Sequence, residues 1–556
     1  MEKFYIRDPI YDEIIVYRET EEPLINRWEI QRLRYIKQLQ LTYLVYPSAT
    51  HTRFEHSLGV MHIAGDFITQ LLENAEDREF LKKTAELPLV SDSAFIRMNR
   101  IVARIAGLLH DIGHGPLGHL FDEYIIPLLF TGHDKEVLEK KCFSHEVISF
   151  LIYWHRLREI IRESFEKIEQ LKRYADDLLT WLDQIMIPIC RDPETGRPIY
   201  HELFHVSTSG YGYFLRMIVR DYLYPADLID YLLRDSRFSG AVELGMINRL
   251  RLMRYTKPVP RDHVLEKLPE ELASKQRELY KLLPTPVMLV INEKALPDLI
   301  RFLDARRLMY ENVYLHKVIR AFGWSAIKIL SEEEVWYHIG FPKNLLVKAL
   351  EKPQSSDLVN AFLDEYLELT DNVLLIVRDL VRKGIIKNDV VKQHIRALFD
   401  YRKPLYKSIA SEIIPATPYL ATNVRIVKQI REFEEELRKT LLEIGEDGIS
   451  RQAIDDQVRI GIEQIQIYPS TAWNVQGPGI YTFIEGSLRI YSIEEFSARY
   501  HLSNVGEIRL YVDRSLNENL KRELRKKFLS EVKDNVERRE KLKELIGLTT
   551  ISTVTM

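Results

Sequence analysis

The stretch "IVARIAGLLHDIGHGPLGH", residues 101–119, constrains this chain more than any other. Its first nine residues read as a buried helix. A histidine and an aspartate then stand side by side, and "GPLG" stops the helix. A buried imidazole–carboxylate pair needs partners away from water. Two other helical segments carry such residues: His56 in "HTRFEHSLGV" and Asp227 in "YPADLIDYLLRDSRFSG". When the three helices pack, His56, His110, Asp111 and Asp227 can meet around one cation. Neutral imidazole and carboxylate suit Mn, Fe, Ni or Zn with positions left open for water. Such an ion acidifies bound water toward neutrality and polarises a phosphoryl oxygen. Each residue taken alone is more often an ordinary core or surface residue; the set H…HD…D, with a helical pattern at each part, carries the reading.

The rest of the chain reads as mainly α, a helical core with a helical extension and a small C-terminal α+β portion. Short extended pieces open it, followed by a helix over "INRWEIQRLRYIKQL" with Ile30, Leu33 and Ile36 at helical spacing. Helices are expected over 54–73, 94–110, 144–186, 211–235 and 296–440, with prolines thinning the pattern near 258–286. After about residue 462 the pattern alternates, in "QIQIYP", "GIYTFIEGSLRIYSI" and "EIRLYV", which is strand chemistry. A charged helix over 515–546 follows, its acidic and basic residues interleaved as on a solvated face. This divides the chain into a core over 1–260, a helical extension over 261–460 that completes the site, and the region 461–556.

Composition bounds the partners. A net charge of -4 over 556 residues gives no global field for polyanions, so single-stranded nucleic acid binding has no support. Charged residues reach 29%, above the roughly 25% usual in soluble proteins, and lean toward a thermophilic source. Only Cys142 and Cys190 are present, without CxxC spacing, which implies no disulfide framework and no Cys-based zinc site. No signal-peptide pattern and no long uncharged apolar stretch occur, so a soluble protein of the reducing cytoplasm, away from membranes, is expected.

At its motifs the sequence resembles the HD superfamily, and within it the SAM-and-HD-domain deoxynucleoside triphosphate triphosphohydrolases, here without the SAM domain. The resemblance rests on "RDPIYDEI", "QRLRYIKQL", "HTRFEHSLGV", "IAGLLHDIGHGPLGHLFDEYIIPL", "FSHE", "DLIDYLLRDS" and "YLHKV", in order along the chain; residues 155–210 match poorly and read as an insertion. It implies cleavage of a dNTP to deoxynucleoside and inorganic triphosphate, with His56, His110, Asp111 and Asp227 as metal ligands and Mg on the nucleotide phosphates. It places His114, His119 and His145 on catalytic positions. The chemistry favours His119 as the proton donor, because Asp122 lies three residues on and could hold it protonated. Gln38, Leu39, Tyr231, Tyr314 and Asp235 would form the sugar pocket, and Arg53 and Arg306 would clamp phosphates.

Two positions depart from the family: Leu228 stands where it has Lys, and Leu315 where it has Gln. His316, Lys317 or a second cation could replace the lost phosphate contact. The family assembles an active tetramer around an activating nucleotide; the matching segment keeps Gln31 and Arg34 but has Asn26 at the guanine-reading aspartate. An oligomer, tetramer or dimer, that needs no GTP is expected. Asn26 also suits a helix N-cap before "RWEIQRL". The alternatives are another HD nucleotide phosphomonoesterase or phosphodiesterase, and a nucleotide-sensing assembly with little turnover.

Overall fold

The computed structural model describes residues 2–190, 197–267, 285–416, 433–437, 439–440, 457–465, 479–484, 487–500 and 504–543. A hairpin of β1 (Lys3–Asp8) and β2 (Asp12–Tyr17) opens the chain. Two long helices then form the centre, α1 (Arg53–Glu73) and α2 (Asp92–Leu109). Their starts are dictated locally. "TRFE" is a capping box, with the Thr52 N–H donating to Glu55 Oε2 at 2.8 Å, and Ser91 Oγ accepts from the Ala94 N–H. Their close packing depends on glycine. A Cβ at Gly107 would lie 2.9 Å from the Val60 carbonyl oxygen of α1.

Around this pair lie α3 (His145–Ile152) and α4 (Ala226–Ser239), then α5 (Leu296–Met309), α6 (Lys317–Leu330), α7 (Ser356–Tyr366) and α8 (Val373–Arg382). Their apolar faces join in one large core, which includes Phe54, Leu58, Ile105, Leu109, Phe150, Ile229, Phe302 and Phe362. The mainly α fold class is as expected.

Local outcomes differ in four places. The helix expected over "INRWEIQRLRYIKQL" is a single turn, Trp28–Gln31, followed by a 3-10 turn, Arg32–Tyr35. The chain then extends so that Lys37 pairs with Thr52. The expected 211–235 helix breaks over Tyr222–Pro225, where Pro225 forces an extended entry into α4. The expected helical stretch 296–440 is interrupted by a strand, β5 (Tyr406–Ala416), while residues 433–437 and 439–440 are helical. Finally, β3 (Thr256–Pro260) and β4 (Val287–Asn292) join two C-terminal strands, β7 (Gly479–Ile484) and β8 (Ser487–Ser492), in a sheet of order β3-β4-β7-β8.

β6 (Val458–Ile465) and β9 (Asn504–Asp513) complete a second sheet, β5-β9-β6. Its apolar face packs on α9 (Glu518–Leu529) through Ile508, Leu510, Leu524 and Phe528. The two cysteines, left unbridged by the sequence reading, form a disulfide across a separation of 48 residues. Packing of the segment before α3 against residues 187–190, which follow the helix Ala175–Met186, brings them together, which no sequence spacing could show. Among the described residues, no helix is long and apolar enough to cross a membrane.

Candidate metal centre and catalytic cleft

His56 lies in the first turn of α1, His110 at the C-terminus of α2, and Asp227 in the first turn of α4. The three offer ligand atoms within 4.8 Å of one another. His56 Nε2 is 3.1 Å from Asp227 Oδ1, and His110 Nε2 is 3.7 Å from the same oxygen. Asp111 Oδ1 lies 3.4 Å from His110 Nε2, and its Oδ2 meets Arg53 Nη1. Neither His56 Nε2 nor His110 Nε2, both buried, has an aligned hydrogen-bond partner. Buried nitrogens and carboxylate oxygens converging without bonding one another fit a divalent cation, with imidazole and carboxylate donors as a borderline metal prefers.

Both imidazoles are oriented from behind. His110 Nδ1 is 2.8 Å from the Gly107 carbonyl oxygen. His56 Nδ1 is 2.8 Å from Asp230 Oδ2. Such partners fix the tautomer and turn Nε2 toward the metal position. Burial pulls the His56 imidazolium down, but the carboxylates of Asp227 and Asp230 close beside it push it up to about 10. Two carboxylates facing one imidazole favour a cation there. Asp230 also accepts from the Tyr11 hydroxyl at 2.8 Å and from Arg234 Nε and Nη2 at 3.0 Å, and Arg234 Nη1 reaches Asp8 Oδ2 at 2.8 Å. Gly59 makes room for this carboxylate, since a Cβ there would lie 1.8 Å from Asp230 Oδ1. The sequence reading missed Asp230, Arg234, Tyr11 and Asp8. The signal was present: Asp230 sits three residues after Asp227 and four before Arg234, on one helix face.

The three remaining histidines form a second cluster beside the first. The rings of His114 and His145 stack with centroids 3.8 Å apart, and His119 meets them edge-on at 4.9 and 5.2 Å. The expected Asp122–His119 pairing does not form. Asp122 Oδ2 is 3.1 Å from His145 Nδ1 and 3.4 Å from His114 Nδ1, while His119 faces Glu123 Oε1 at 3.6 Å. The cause is the π-helical turn Phe121–Ile125, which departs from the i+3 geometry of an α-helix and leaves Asp122 buried. Burial lowers the affinity of His145 for a proton, but bonding to Asp122 outweighs it and raises its pKa. His119 is half exposed, and the desolvation and charge that come with its crowding against His114, His145 and Arg53 set its pKa below the usual imidazole range. Gly118, at φ +51°, permits the turn into His119, and a side chain there would also strike Arg53.

Asp227, Tyr231 and Asp235 recur every four residues along one face of α4, over about 12 Å of helix. Tyr231 and Tyr314 meet edge-on at 6.0 Å, and the Tyr314 hydroxyl donates to Asp235 Oδ2 at 2.9 Å. His51 Nε2 is 2.7 Å from Asp235 Oδ1, a partner the sequence reading missed. Gln38 N–H donates to the His51 carbonyl oxygen at 3.1 Å, which sets Gln38 and the buried Leu39 beside this group. The Arg306 guanidinium is buried over the Tyr310 ring. Leu228 is buried in the core. Leu315 offers its carbonyl oxygen to Arg509 of β9. His316 and Lys317 open α6, with His316 edge-on to Tyr46.

Asn26 is not the N-cap expected before "RWEIQRL". It closes the preceding turn, Glu22–Ile25, and Arg27 occupies the N-cap position. Its side chain lines a surface pocket with Trp28, Arg156 and Asp364. Gln31 Nε2 donates to the Ile25 carbonyl oxygen, Arg34 Nε donates to Gln31 Oε1, and the Arg34 guanidinium lies 3.6 Å from the centroid of Phe54.

Comparison with known proteins agrees with this geometry. The HD domain family matches residues 53–190, which hold every histidine of the two clusters. The chain is similar to deoxynucleoside triphosphate triphosphohydrolase SAMHD1 from Gallus gallus, 27% identical over 66% of this chain and 50% of that protein. It is similar to the Xenopus laevis protein of the same name, 30% identical over 45% of this chain and 36% of that one. The chain thus spans half or less of these two relatives. A phosphohydrolase structure from Bacteroides thetaiotaomicron superposes with a TM-score of 0.54 at 21% identity, covering 92% of this chain and all of that one, and shares the fold. By these matches, residues 53–190 carry an HD domain, and the chain resembles HD-domain phosphohydrolases such as SAMHD1.

Proposed function

We propose that this chain is a metal-dependent dNTP triphosphohydrolase. The observation that carries the reading is the alignment on α4, where a ligand of the metal centre, Asp227, and two residues suited to a deoxyribose, Tyr231 and Asp235, follow one another on one face. His56, His110, Asp111 and Asp227 would hold Mn, Fe, Ni or Zn. That ion, when bound, supplies an acidified water and a polarised phosphoryl oxygen at the α-phosphorus, with Mg accompanying the nucleotide phosphates. Tyr231 and Tyr314 pack on the sugar and leave no room for a 2′-hydroxyl. Asp235 accepts from the 3′-hydroxyl, with Gln38 and Leu39 closing the pocket. Arg53 and Arg306 neutralise phosphate charge. His145, kept protonated by Asp122, delivers the proton to the departing 5′ oxygen. His114 and His119 contact phosphate oxygens. A homo-oligomer, dimer or tetramer, is the form in which a second nucleotide would activate it. A cytoplasmic site of action is compatible with the disulfide, because intracellular proteins of hyperthermophiles keep such bonds.

A second reading, a nucleotide phosphomonoesterase or phosphodiesterase, is favoured by one observation: the apolar Leu228 beside Asp227 supplies no cation for a triphosphate. The test is to incubate the protein with each dNTP and Mn or Mg and to identify the products. Deoxynucleoside plus inorganic triphosphate supports the proposal. Stepwise release of phosphate, or a monophosphate, supports the second reading. Tight nucleotide binding without product supports a sensing assembly.

A further inference from the structure

The segment from His110 to His119 cannot satisfy its own backbone. It turns through Leu117 at φ +59° and Gly118 at φ +51°, so its peptide groups need partners from elsewhere. Three come from residues outside the cleft. Arg32 Nη1 and Nη2 donate to the His114 carbonyl oxygen at 3.0 and 2.7 Å. The Tyr366 hydroxyl donates to the Gly113 carbonyl oxygen at 2.8 Å. Asp371 Oδ1, in the link between α7 and α8, accepts from the Leu117 N–H at 2.7 Å.

Asp371 has a second task. Its Oδ2 accepts from the Lys37 N–H at 2.8 Å, and its own N–H donates to the Tyr35 carbonyl oxygen at 3.1 Å. Lys37 immediately precedes Gln38 and Leu39, and it pairs with Thr52, the neighbour of Arg53. One carboxylate therefore joins the turn that carries the catalytic histidines to the loop that carries the sugar pocket and a phosphate-facing arginine. We propose that Asp371 is a positioning residue, which fixes the spacing of these two walls and lets the helical extension set the geometry of the cleft. A carboxylate is required. It accepts on both oxygens, whereas an asparagine presents one acceptor and turns its amide N–H toward the other N–H.

The turnover part of this proposal rests on the hydrolase reading; the bracing part does not. Hydrogen exchange is measured on the full chain loaded with Mn, for the peptides covering 36–40 and 115–119. Asp371→Ala is expected to speed exchange at least tenfold in both, with bound Mn per chain and exchange around His56 unchanged. Asp371→Asn is expected to loosen one segment and leave the other protected. With dNTP as substrate, the alanine variant loses at least tenfold in kcat and rises in KM. Unchanged exchange in either segment of the alanine variant overturns the brace. Faster exchange with kcat and KM both within twofold overturns the positioning role. Should the alanine variant not fold, the one-sided pattern of the asparagine variant decides, and protection of both segments there overturns the brace. A parent chain without dNTP turnover sinks the hydrolase reading alone, and the exchange pattern still judges Asp371.

Discussion

Asp230→Asn is the perturbation that best separates a metal centre from a buried polar cluster. Asp230 is fully buried and accepts on both oxygens: Tyr11 and Arg234 Nη2 on one, His56 and Arg234 Nε on the other. An asparagine of the same shape must turn its NH2 toward one of these donor pairs, whichever way it flips. Two costs follow. Breaking a buried charge pair costs about 3–5 kcal/mol of stability; because Arg234 keeps Asp8, the lower end applies. Losing the orienting partner of a ligand histidine lowers metal affinity about 10–100-fold, or roughly 1.4–2.7 kcal/mol. Tyr11→Phe is the control. It removes one donor from the oxygen that His56 does not use and should change metal affinity by less than about threefold, a small part of the range for losing the orienting partner itself. The assay is competition for Mn against a chelator, with thermal unfolding of the metal-free proteins alongside. An Asp230→Asn variant that folds and still binds Mn within twofold of the parent refutes the argument.

Three further outcomes are expected. Asp122 holds a proton on His145, so Asp122→Asn lowers the His145 pKa and the imidazole loses its proton at lower pH. The alkaline limb of the pH–rate profile should move toward acid by about one unit or more, and an unmoved limb would contradict His145 as the donor. Replacing both Cys142 and Cys190 by Ser opens a loop of 48 residues, which chain entropy values at about 4 kcal/mol; denaturant unfolding should read most of it, and a loss under about 1 kcal/mol, well below the usual range for a native disulfide, would show the bond to be idle. Were Asn26 to face an activating nucleotide, as the resemblance implies, its amide would give guanine one acceptor where a carboxylate gives two, and selectivity should weaken by about one to two orders of magnitude; strict GTP dependence of both hydrolysis and sedimentation would count against it.

The sequence by itself determined where the helices of the centre lie and which residues end them. Apolar periodicity and the Thr52–Glu55 capping box are local signals, and the hydrogen bonds they specify form within a few residues. The H…HD…D pattern was legible for the same reason, since each ligand marks a break in an apolar run. What only the tertiary structure decided is who partners whom. Asp122 looked like a companion of His119 under regular helical spacing, and a π-helical turn gave it to His145. Asp230 was not singled out in the sequence at all, and packing of α4 against Gly59 put it on His56. Asp371 lies 334 residues from Lys37 and 254 from Leu117. The disulfide and the pairing of β4 with β7 also join residues far apart in sequence. A carboxylate has no directional signal in sequence; its partner is whichever donor the packed helices leave beside it, so those assignments came only with the fold.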